Sequence, residues 1–166
     1  MSNQQLGQQA LEQAFEFFTG LVEKNHKFEA ELWNEGFFTY LLTKKQMNTL
    51  KKLCISEGWI QPTNYSITIK GEFIAHILKS RQGKDFITTQ EAIKILTTAF
   101  SPASQVSINV KYSNQAVVLN SNTKIKIKGN NYYSSAFFQV GEQLENKTAY
   151  HTGWKKIQAM INNGKK

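Results

Sequence analysis

The chain has 166 residues, 40% hydrophobic and 19% charged, a globular rather than a disordered composition that suits one domain or two small ones. Twenty Lys and Arg against twelve Asp and Glu leave a net +8 and a pI near 9.5, which points to polyanionic partners. A single cysteine, Cys54, excludes an intramolecular disulfide and a cysteine-cluster zinc site. No run approaches the ~18 uninterrupted apolar residues that a membrane span needs. The opening MSNQQLGQQ has neither the basic nor the apolar region of a secretory signal, so a cytoplasmic location is expected.

The charge is unevenly placed. Residues 1–42 carry two lysines against six glutamates, a balance of −4. Residues 43–85 carry eight cations against three acids, and residues 86–166 ten against three, +5 and +7. An acidic first quarter therefore precedes a basic remainder.

From Gln4 to Lys24, Leu11, Phe15, Phe18 and Val22 recur at helical spacing, and the glutamates fall largely on the other side. Residues Phe28–Leu42, with Leu32, Trp33, Phe37, Phe38 and Leu41, read as a second helix. Thr43 is the expected N-cap of a third helix, Lys44–Glu57, closed by Gly58 at the C′ position. Trp59-Ile60, a turn at Gln61–Asn64 and the alternating Tyr65–Ile69 read as a short hairpin that feeds a helix over Lys70–Lys79. The polar, glycine-bearing Ser80–Lys84 stretch is the natural linker.

Thr88 and Glu91 have capping-box spacing and open a helix over Thr89–Phe100. Strands are expected at Val106–Tyr112, Gln115–Leu119, Lys124–Lys128 and Tyr132–Val140, with turns at Asn120–Asn122 and Gly129–Asn131. Residues 141–150 read as loop, and Thr152 caps a last helix ending near Asn162, with Trp154, Ile157 and Met160 on its apolar side.

The order helix, helix, hairpin, helix over residues 28–80 resembles a winged helix-turn-helix DNA-binding domain. The closest part is SEGWIQPTNYSITIKGEFIAHIL, in which Tyr65-Ser66-Ile67-Thr68-Ile69-Lys70-Gly71 matches the return from wing to helix. The resemblance implies that Lys44–Glu57 is the helix that enters the major groove. It covers under a third of the chain, and its wing is only about four residues long. The expected fold class is α+β. A winged-helix-like unit over 1–80 is joined by a linker at 81–85 to a basic α-β-β-β-β-α unit with an antiparallel sheet over 86–166.

The residues of that helix support the same reading. Met47, Leu50, Leu53 and Cys54 form an apolar side, while Lys45, Asn48, Thr49, Lys52 and Ser56 share the opposite stripe next to Lys44. A groove-bound helix needs one packed side and one side of donors for phosphates and base edges. Asn48 suits a bidentate contact to adenine, flanked by Lys45 and Lys52. A solvated surface helix shows lysines opposite an apolar side too, and the hairpin that follows favours nucleic acid.

Strict alternation puts Lys124, Lys126 and Lys128 on one side of a strand, with Lys111 joining from a neighbour and spacing of ~7 Å close to that of phosphates. Lysines that guard a sheet edge give the same pattern. Tyr132, Tyr133, Phe137 and Phe138 supply rings for base stacking, although adjacent ones point to opposite faces. Lys155 and Lys156 open the basic last helix. The α-β-β-β-α order there is similar to a double-stranded-RNA-binding domain, without that family's loop residues and with an extra strand.

No catalytic constellation emerges. His26, His76 and His151 lack ligand spacing, only Glu91, Glu142 and Glu145 follow residue 86, and no glycine-rich phosphate loop is present. The expectation is a non-enzymatic DNA-binding protein without metal or cofactor. Its partner is double-stranded DNA, with RNA on the C-terminal sheet as an alternative, and its first helix is a homodimer contact. The alternative from another class is a protein-interaction or inhibitor module, of the kind a phage or mobile element encodes, that uses the acidic 1–42 segment or the lysine sheet against a host nucleoprotein complex.

Overall fold

A computed structural model describes residues 3–24, 36–85, 87–109, 115–153 and 155–156. Its elements run α1 (Asn3–Lys24), β1 (Gly36–Leu41), α2 (Lys44–Glu57), β2 (Ser66–Lys70), α3 (Gly71–Asp85) and α4 (Thr89–Ala99). They continue with β3 (Gln105–Ile108), β4 (Ala116–Asn120), β5 (Ile125–Ile127), β6 (Asn130–Val140) and β7 (Leu144–Thr152). The fold is α+β.

The strands form one sheet in the order β1-β2-β7-β6-β4-β3, with β5 pairing to β6 beyond the end of β4. All pairs are antiparallel except β2 with β7, whose register rests on Ile67 opposite Leu144. One face of the sheet presents Tyr40, Ile67, Ile69, Leu144, Ala136, Phe138, Val117, Leu119 and Val106, all buried in one core with the helices. On α1, Phe15, Thr19 and Val22 are buried, at the helical spacing of the sequence. The Phe15 ring meets Phe38 of β1 edge-on at 4.9 Å and lies 5.8 Å from Phe100, at the end of α4. Aromatic pairs at such distances add to the burial term.

Three elements differ from the sequence reading. Residues 36–41, expected within a second helix, form β1, whose Phe38 and Tyr40 turn inward while Thr39 and Leu41 are exposed. The expected Trp59–Ile69 hairpin does not form: β2 pairs instead with β1, from Gly36–Lys70 to Leu41–Ser66, and 59–65 contains no strand. Residues 144–150, expected as loop, belong to β7, which is paired along most of β6. Residues 81–85 continue α3, and the chain on both sides of them contributes strands to the one sheet. Thr152 ends β7 rather than capping a helix, and the remainder of the expected last helix lies outside the described residues apart from Lys155 and Lys156. No helix among the described residues is long and apolar enough to cross a membrane.

Candidate nucleic-acid interface

The helix α2 is closed at both ends by its own sequence. Thr43 Oγ1 accepts the Gln46 amide N–H at 3.1 Å and Gln46 Oε1 accepts that of Thr43 at 3.1 Å, a reciprocal capping box. Gly58, at φ 70°, supplies the left-handed residue that ends the helix, and Trp59 N–H reaches the Cys54 carbonyl at 2.8 Å.

Gln46 does more than cap. Its Oε1 also accepts the Tyr40 hydroxyl at 2.8 Å, and its Nε2 donates to the carbonyls of Ser101 and Ser104 at 2.8 and 3.0 Å. One buried amide thus ties the start of α2 to β1 and to the α4–β3 connection. Leu50 and Cys54 continue the inward side, and Met47 and Leu53 flank it.

The opposite side is open to solvent. Lys44, Lys45, Asn48, Lys52, Ile55 and Ser56 are all exposed. Lys45 and Lys52 stand two turns apart, ~10.5 Å along the axis, with Asn48 between them. Thr49, beside this set, is half-buried, and its Oγ1 donates to the Lys45 carbonyl at 3.0 Å. Lys51 is drawn to the flank, its Nζ 5.4 Å from the centre of the Tyr65 ring.

The charges of α2 run against its dipole. Its first turn has Lys44 and Lys45 and no acid, and its last turn has Glu57 and no base. Each such placement costs ~0.3–1 kcal/mol of helix stability. The positive ends of the backbone and of two side chains are therefore concentrated at one exposed point.

The second basic element is the β5–β6 hairpin. Ile125 and Ile127 are buried, and Lys124, Lys126 and Lys128 are exposed. Lys128 at φ 53° and Gly129 at φ 82° make the two-residue turn, both in the left-handed region that a type I′ hairpin requires. Glu91 fastens this turn to α4. Its Oε1 accepts the Thr88 amide at 2.8 Å, completing that capping box, and its Oε2 accepts the Lys128 amide at 2.9 Å. The Thr88 amide first, then the Lys128 amide and charge, hold the Glu91 carboxyl below the ordinary glutamate value.

Gln46 sits on the Ser104 carbonyl, Gln105 pairs with Asn120, and Lys124 follows four residues later. Asn130 and Asn131 are exposed at the hairpin tip, with Asn131 opposite Lys126. Lys156 Nζ lies 3.3 Å from the Tyr150 hydroxyl and 4.9 Å from the centre of that ring, and Lys155 beside it is exposed. Lys111 and His26 lie outside the described residues.

Of the aromatic residues of β6, Phe137 and Phe138 are buried, while Tyr132 and Tyr133 are half-buried. Phe138 is in the core, Phe137 is buried and stacked on Tyr150 at 4.9 Å, and Tyr132 meets His151 edge-on at 4.7 Å.

The far end of β6 and β7 has the opposite sign. Between β2 and the β6–β7 turn lies a cleft of about 580 Å³, whose charged lining is Lys70, Glu72, Glu142 and Glu145. Thr63 closes its edge with two hydrogen bonds to the Glu142 carbonyl, from N–H at 3.0 Å and Oγ1 at 3.1 Å. Among the described residues no three His, Cys, Asp or Glu side chains converge to hold a metal ion. Comparison of this chain with family models, with curated proteins and with solved structures found no match.

Proposed function

We propose that this protein binds double-stranded DNA without acting on it chemically, with α2 laid in the major groove. The observation that carries this reading is the outward side of α2, where Lys44, Lys45, Asn48 and Lys52 are exposed on a helix capped at both ends and anchored by Gln46. Lysines at the dipole-positive end cost stability, so they have a purpose other than the fold, and phosphate is the ligand that such a helix end favours. The β5–β6 hairpin, rather than a wing at Gln61–Asn64, supplies the second set of phosphate contacts through Lys124, Lys126 and Lys128. From the winged-helix resemblance this reading keeps the groove helix and its strand return, now paired to β1.

The test is duplex affinity at two salt concentrations. Lys45→Ala with Lys52→Ala should weaken binding to every sequence and reduce the salt slope by about 2, with the melting temperature kept or raised. Unchanged binding refutes the assignment of α2.

The acidic cleft at the other end favours a second reading, a protein-interaction module. Protein that ignores duplex DNA and RNA at low salt, and whose retention of a basic partner is lost on Glu142→Lys and Glu145→Lys, would establish it.

A further inference from the structure

We infer that α2 discriminates A·T from G·C pairs through two residues, Asn48 for adenine and Ile55 for the methyl group of thymine; this rests on the reading of α2 as the duplex-contacting helix. Ile55 is 70% exposed although it lies within the capped helix and one residue after the fully buried Cys54. Leu50, Leu53 and Cys54 already fill the side that faces the core, so the fold makes no use of it.

Its place on the helix gives it a use. Lys45, Asn48, Lys52 and Ile55 follow at intervals of three, four and three, which keeps all four on one outward stripe. A stripe of two cations, one amide and one branched aliphatic side chain has a specific complement in the major groove. The cations meet phosphates or guanine, the amide matches the N6 and N7 pattern of adenine, and only thymine offers a methyl group to an apolar side chain. A purely electrostatic helix would gain nothing from isoleucine there.

The spacing sets the geometry of the site. Asn48 and Ile55 are seven residues apart, ~10.5 Å along the helix, close to three steps of ~3.4 Å along a duplex strand. The favoured site therefore has an A·T pair under Asn48 and a second about three pairs away under Ile55.

The test compares three duplexes of equal length and charge, so that the phosphate contribution cancels: one A·T-rich, one the same with every thymine replaced by deoxyuridine, and one G·C-rich. The wild-type chain should prefer the A·T-rich over the G·C-rich duplex by about tenfold. It should lose about fourfold on removal of the methyl groups, the ratio that ~0.8 kcal/mol of methyl burial gives. Ile55→Ala should abolish the response to deoxyuridine alone, and Asn48→Ala should keep that response while reducing the preference for the A·T-rich over the G·C-rich duplex. Equal affinity for all three duplexes overturns the inference and leaves duplex binding standing. No binding to any of them at low salt overturns the duplex reading itself.

Discussion

The Tyr40 hydroxyl, carried by β1, donates to Gln46 Oε1 in the first turn of α2 at 2.8 Å. Through this contact the strand that precedes the helix and the amide that caps it become one unit, and the same amide grips Ser101 and Ser104. All four hydrogen-bonding positions of the Gln46 amide are filled. The direction in which Lys45, Asn48 and Lys52 point is thus set by a buried residue on the other side of their own helix.

Gln46→Ala should therefore be far more damaging than a surface substitution. It leaves the Tyr40 hydroxyl and two carbonyls without their partner, and each buried unpaired group costs ~1–3 kcal/mol. A loss of about 3 kcal/mol is expected, read as a lower urea midpoint. Gln46→Glu should fare no better, because a carboxylate cannot donate to the carbonyls of Ser101 and Ser104. A loss below ~1 kcal/mol for both variants would show that the amide is not the anchor.

Burial of Tyr40, only partly offset by its bond to Gln46, pushes its hydroxyl from the ordinary value of 10.0 up to about 12. The folded chain thus favours the neutral phenol more than the unfolded chain does. Its contribution is fully present below pH 10.0 and is lost as pH rises through about 12. That rise corresponds to about 3 kcal/mol. Burial also raises Tyr65, as does the nearby Cys54, and this acts in the same direction. Tyr40→Phe should cost ~1 kcal/mol at neutral pH and flatten the alkaline fall in stability. A variant whose stability falls as steeply as the wild type between pH 10 and pH 12 would contradict this assignment.

The ends of α2 and the start of α4 were legible in the sequence because their signals are local: Thr43 with Gly58, and Thr88 with Glu91. The outward set Lys45, Asn48 and Lys52 was legible for the same reason, since helical spacing alone places it. β1 was not. Its Phe37, Phe38 and Leu41 join Leu32 and Trp33 in a helix-like pattern, and only pairing with β2, nearly thirty residues later, makes 36–41 a strand. β7 was hidden by a bulge. Phe137 pairs with Thr148 and Phe138 with Asn146, so Lys147 is skipped and the alternation from Leu144 to Ala149 changes phase midway. The role of Ile55 had no local signal either, because a pattern of apolar spacing does not say which isoleucine remains outside.

Lys44→Glu separates folding from binding by the sign of its two effects. An acid in the first turn complements the dipole where lysine opposes it, so the helix should gain ~0.5–1 kcal/mol and the chain should melt higher. The same change reverses a charge at the proposed phosphate contact, so duplex affinity should fall, most steeply at low salt. A variant that is both more stable and unimpaired in binding would show that the start of α2 is plain surface.

The turn at Lys128 offers the same separation at the second basic element. Lysine at φ 53° is a strained choice, while asparagine is favoured in the left-handed region and Asn-Gly is the preferred pair for this turn. Lys128→Asn keeps the backbone N–H that donates to Glu91 and removes one ammonium from the Lys124–Lys126–Lys128 set. The hairpin should be as stable as before or firmer by a few tenths of a kcal/mol, with turn strain relieved and the charge attraction to Glu91 lost. If β5–β6 touches phosphate, affinity must nevertheless drop and the salt slope must shrink by about 1. If these lysines serve only to keep a sheet edge from pairing, the slope stays where it was, and solubility at high concentration is the property that changes.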